Sequence, residues 1–128
     1  MKGALVGRLL LGLIYFVFGL NGFLNFIPAP PMPEAAGAFA GAMGATGYFF
    51  PLLKATEVLG GLALLTGFFA PLSLIVLAPV TIQIFMFHAV LTPGAQNVVL
   101  PAVMILLHLL AAHLYRPLFL PLLAPKPA

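Results

Sequence analysis

Glu57 is the most informative residue in this sequence, because it is one of only two acidic residues among 128 and it lies inside a long apolar run. At about 1.5 Å per residue it falls roughly 12 Å below the end of its helix that is remote from the chain termini. An isolated carboxylate at that depth in a bilayer is costly, so it must be ion-paired, solvated by a cavity or protonated. Lys54 stands three residues earlier, a spacing that puts both groups on one helical face within reach of each other. The functional reading is an outward-open polar pocket in which Glu57 carries a proton or binds a ligand and Lys54 is its electrostatic partner. The structural reading is a polar contact that fixes helix register.

The other polar candidates are His88, Asn21, Gln83 and Tyr15, with Arg8 and His108 nearer the termini. His88 and Asn21 project to the depth of Lys54, and His88 reads equally well as a ligand-binding group or as an interfacial hydrogen-bonding residue. Gln83 lies about 140° around its helix from His88, so a straight helix cannot aim both inward. Tyr15 shares a stripe with Arg8, Gly12, Gly19, Gly22 and Phe26, whereas Asn21 falls off that stripe. Arg8, one turn inside its helix, is foremost an anchor or a contact for lipid phosphate. His108 aligns with Asn97, Pro101, Met104 and Tyr115, which predicts a hydrogen bond between helices.

Several chemistries are excluded. The chain has no cysteine, which removes disulfide relays, thiolate nucleophiles, iron–sulfur clusters and c-type haem. A b-type haem needs two axial histidines at one depth, but His88 projects to about 25 Å and His108 to about 12 Å from the terminal face. No two histidines share a helix face, so no metal site is expected. The net charge of +3 rests on five scattered basic residues and offers no patch for nucleic acid.

These residues are carried by elements that the composition dictates. With 63% hydrophobic and 5% charged residues, the chain belongs in a membrane. Four apolar stretches reach the roughly 20 residues a bilayer needs: Ala4 to Ile27, Tyr48 to Phe69, Leu72 to Leu91, and Asn97 to Tyr115. The first is too long for a signal-peptide core and is read as a retained span. Breakers separate them: Pro28, Pro30, Pro31 and Pro33, then Pro71, then Thr92-Pro93-Gly94. The second and third connections are so short that the spans they join must be antiparallel neighbours. Pro79 predicts a kink in the third span, and Pro101 is tolerated near the start of the fourth. Between the first two spans, Pro33-Glu34 reads as a helix start, and Ala36, Phe39 and Met43 recur at helical spacing. The expected fold is therefore all-α: one domain, residues 1–128, formed by a four-transmembrane-helix bundle with a short outer-surface helix between spans 1 and 2. The tail from Pro117 to Pro125 is apolar but proline-broken and cannot span. Lys2, Arg8, Arg116 and Lys126 collect at one face against Lys54 at the other, so the positive-inside rule puts both termini in the cytoplasm.

The sequence resembles the DoxX family of small four-helix membrane proteins over almost its whole length. The likeness rests on Arg8-Leu-Leu-Leu-Gly12, Phe18-Gly-Leu-Asn-Gly-Phe23, Gly47-Tyr-Phe-Phe-Pro-Leu-Leu-Lys54, Glu57-Val-Leu-Gly-Gly61 with Gly67, Leu77-Ala-Pro-Val80, Phe87-His88 and Tyr115-Arg116. Where relatives carry Asn, this chain has Gln83, a longer amide. The resemblance implies a bacterial inner-membrane protein linked to redox systems, with a quinone or a sulfur compound as ligand and a redox partner protein. Electron transfer would depend on that partner, since the chain has no dinucleotide motif or metal ligand set. Two rival functions stand beside it. One is a small transporter, for which four short spans would need a homo-oligomer. The other is a non-catalytic membrane scaffold or chaperone. Apart from membrane lipids, the sequence names no partner of its own, and it leaves open whether the protein is an enzyme.

Overall fold

The computed structural model describes residues 2–28 and 31–126. Pro30, one of the expected breakers, lies outside the described residues. The elements are α1 (Lys2–Leu24), α2 (Glu34–Ala45), α3 (Phe49–Thr66), α4 (Ala70–Met86), α5 (Ala95–Leu114) and a short α6 (Arg116–Phe119). A π-helical turn, Phe87–Leu91, extends α4, and a 3-10 turn, Leu120–Leu123, follows α6. The described residues contain no strand. Four helices are long and apolar enough to cross a membrane: α1, α3, α4 with its π turn, and α5. The expected all-α bundle of four spans is thus present, with ends displaced by a few residues from those read in the sequence.

Helices form because the backbone of an open chain has no other way to satisfy itself in lipid. Their ends obey local rules. Gly67, at φ +87°, closes α3 in the left-handed conformation, and its N–H donates to the Ala63 carbonyl at 2.8 Å. Pro71 sits in the first turn of α4, where its missing N–H costs nothing. Between them the connection is so tight that Phe69 also takes a positive φ of 58°.

Small residues set the helix order. Along α1, Gly12 lies against Leu64 and the Gly61 carbonyl of α3, Gly19 against Val58, and Gly22 against Lys54. A Cβ on Gly61 would come 2.5 Å from the Phe16 nitrogen, so the two backbones touch there. Gly7 meets Leu107 and Leu110 of α5 at the terminal end of the bundle. With α4 contacting both α3 and α5, the ring runs α1, α3, α4, α5 and back to α1. Leu11, Tyr15, Leu64, Leu77 and Met104 fill its centre. The helix expected between spans 1 and 2 is present as α2. It packs on α3 and on the π turn, where Phe39 meets Phe87 with ring centroids 5.7 Å apart.

Candidate functional site

A cavity of about 510 Å³ opens in the half of the bundle remote from the termini. Tyr15 and Phe18 of α1, Lys54 and Glu57 of α3, Gln83 and Ile84 of α4, and His88 of the π turn contribute to its walls. Asn97, Leu100 and Met104 of α5 complete them, and Phe39, Ala40 and Met43 of α2 form a roof. Most of the lining is apolar, with a few polar groups converging from different helices, which is the usual constitution of a small-molecule site.

Glu57 is 3% exposed and is held by Lys54, whose Nζ lies 3.3 Å from its Oε1. The glycine contacts of α3 with α1 turn this face inward, and the i, i+3 spacing closes the pair locally. Lys54 keeps more contact with the exterior than its partner, so the ammonium sits toward the mouth and the carboxylate deeper. His88 Nδ1 lies 2.8 Å from the Ile84 carbonyl. A carbonyl only accepts, so Nδ1 carries the hydrogen and the Nε2 of the neutral ring is left as an acceptor. The ring is braced edge-on by Phe87, and Thr92 Oγ1 donates to the His88 carbonyl at 3.0 Å.

Tyr15 belongs both to the cavity and to a buried chain below it. Its hydroxyl meets Thr81 Oγ1, which lies 3.0 Å from His108 Nδ1, and His108 Nε2 lies 2.9 Å from the Leu74 carbonyl. That carbonyl sets the direction of the chain for a neutral ring. Nε2–H donates to it, Thr81 donates to Nδ1, and Tyr15 donates to Thr81. The chain ties α1, α4 and α5 together, so the interhelical hydrogen bond expected of His108 is present.

Five of the residues singled out in the sequence, Tyr15, Lys54, Glu57, Gln83 and His88, line this one cavity. Gln83 and His88 do so together, against the expectation for a straight helix. The cavity is wide enough to reach Gln83 at the exposed edge of α4, and the π turn at Phe87–Leu91 advances each residue by less than the α-helical 100°. Asn21 is not among the lining residues. Its Oδ1 accepts the Ile27 N–H at 2.7 Å and thereby closes the chain beyond the end of α1. Arg8 lies at the opposite end of the bundle, where its Nη1 donates to the Tyr115 hydroxyl at 2.9 Å.

Sequence reasoning missed Thr81 and the part played by Asn97, Phe39 and Met43. A signal for Thr81 existed: Tyr15 and His108 both need partners in apolar spans, and a hydroxyl on a third helix can serve each. Nothing in the sequence marked α2 as a roof.

Comparison with known proteins gives a match of the DoxX family model to residues 3–90, from α1 into the π turn. No curated protein and no solved structure matches. The matched region holds every polar residue named above for the cavity except Asn97 of α5.

Proposed function

The chain belongs to the DoxX family of membrane proteins, and on that premise we propose that it is a membrane subunit of a redox system whose cavity receives a quinone headgroup or a small anion. The observation that carries this reading is the convergence of Glu57, Lys54, His88 and Tyr15 on one largely apolar cavity. A quinone ring suits apolar walls, and its two carbonyls need donors such as the Lys54 ammonium and the Gln83 amide. Quinone reduction takes two electrons and two protons; Glu57 relays the protons from outside to the two ring oxygens, taking up each one before passing it on, and returns them outward on oxidation of the quinol. Electrons come from a redox partner protein. The protein lies in the bacterial inner membrane with its termini in the cytoplasm, so the cavity opens outward.

Thermal-shift titration of the detergent-purified protein with short-chain quinones and with thiosulfate tests this, run beside Glu57→Gln. Saturable stabilisation is expected, amounting to about 2.7 kcal/mol at a hundredfold excess over Kd. It should be lost in Glu57→Gln. A folded protein that responds to neither ligand would overturn the reading.

One observation favours a second reading, a non-catalytic scaffold: the Tyr15–Thr81–His108 chain ties three helices without a ligand. On that reading Glu57→Gln changes stability and leaves ligand response unaltered.

A further inference from the structure

Among the described residues, the end of the bundle that carries the termini holds a guanidinium with no carboxylate beside it. The chain has two carboxylate side chains, Glu34 and Glu57. Glu57 is paired with Lys54, and Glu34 begins α2 at the opposite end. Arg8 is half-buried between α1, the end of α3 and the end of α5, with one hydrogen bond, from Nη1 to the Tyr115 hydroxyl at 2.9 Å. Its Nε is buried and has no partner among the described residues. A guanidinium in a membrane-spanning helix is costly unless paired, and among the described residues Arg8 has only the neutral Tyr115 hydroxyl as a partner.

The surroundings are shaped for an anion. Gly67 lies beside the guanidinium, and a Cβ there would stand 3.3 Å from Nη1 and crowd it. The Tyr115 hydroxyl accepts from Arg8, so its own hydrogen is free to donate to whatever Arg8 binds. The planar guanidinium presents parallel donors that match the oxygens of a phosphate bidentately. Beyond this pair, Arg116 adds donors at the exposed end of α5, its Nη1 donating to His113 Nε2 at 3.0 Å. The exposed Phe68 and Phe69 follow Gly67 on the α3–α4 turn.

We propose that Arg8 and Tyr115 form a phosphate-binding site at the terminal end of the bundle, occupied by the headgroup phosphate of an anionic phospholipid. The site is separate from the cavity and does not depend on what the cavity binds.

Titration of the purified full chain in mild detergent with dioctanoyl-phosphatidylglycerol, dioctanoylglycerol and inorganic phosphate tests it, read by thermal shift and by counting bound molecules in native mass spectrometry. Phosphatidylglycerol should stabilise saturably at one site and dioctanoylglycerol, which has the same chains and no phosphate, should not. Response to inorganic phosphate at similar concentrations would keep the site but assign it to a soluble phosphate. Arg8→Gln should weaken phosphatidylglycerol roughly tenfold or more. Arg8→Lys, which keeps the charge and loses the fork, serves if Arg8→Gln does not fold, and Tyr115→Phe should weaken binding by a smaller factor. Equal stabilisation by dioctanoylglycerol, or unchanged phosphatidylglycerol affinity in these variants, would show that Arg8 merely ties α1 to α5.

Discussion

Glu57 and Lys54 do not contribute symmetrically, because the carboxylate is buried and the ammonium reaches the exterior. Glu57→Gln removes the buried charge itself, while Lys54→Met leaves that charge without a partner. Lys54→Met should therefore destabilise more, by on the order of 1–3 kcal/mol, which equilibrium unfolding in mixed micelles would measure. Equal losses would mean that Glu57 has another source of compensation. Thr81 offers a second contrast. Thr81→Val keeps the side-chain shape but strands both the Tyr15 hydroxyl and His108 Nδ1, and the expected cost is about 1–3 kcal/mol. Tyr15→Phe leaves the Thr81–His108 bond in place and should cost less in the same assay.

At the level of helices, the decisive contact is that of α1 with α3. A Cβ at Gly61 would meet backbone on both sides, the Phe16 nitrogen at 2.5 Å and the Gly12 carbonyl at 2.8 Å, and backbone cannot rotate away. Gly61→Ala should therefore separate the helices and lower the thermal midpoint. Gly41 of α2 has nothing within 4 Å of its Cβ position, so Gly41→Ala should be neutral or gain up to about 1 kcal/mol from helix propensity. The same glycine-to-alanine change thus has opposite signs on two helices, and a similar loss at both sites would refute the packing assigned to α1 and α3. The glycine stripe on α1 was visible in the sequence because helical periodicity is local. Its partner was not, since which helix fills a groove depends on residues more than thirty positions away.

Taken as one body, the bundle is a ring closed at the terminal end by Gly7 against α5 and hollow at the other, with α2 across the hollow. Because the chain has no cysteine, an introduced pair reports proximity without background. Phe39→Cys with Phe87→Cys should be bridged in membranes by a short bifunctional thiol reagent and, if the roof must move for entry, slow the approach of a quinone to the cavity. Absence of bridging by such reagents would remove α2 from the roof. The spans, the α2 helix, the Glu57–Lys54 pair and the family resemblance could all be read from the sequence, because hydropathy over about 20 residues and an i, i+3 spacing are properties of neighbouring residues. The gathering of Tyr15, Gln83 and His88 around that pair, the loss of Asn21 to a backbone cap, the Thr81 bridge and the Arg8–Tyr115 contact are properties of the fold. Each depends on how a helix is rotated about its axis and which helix stands beside it, and both are set by contacts between distant segments and by the widened turn at Phe87–Leu91.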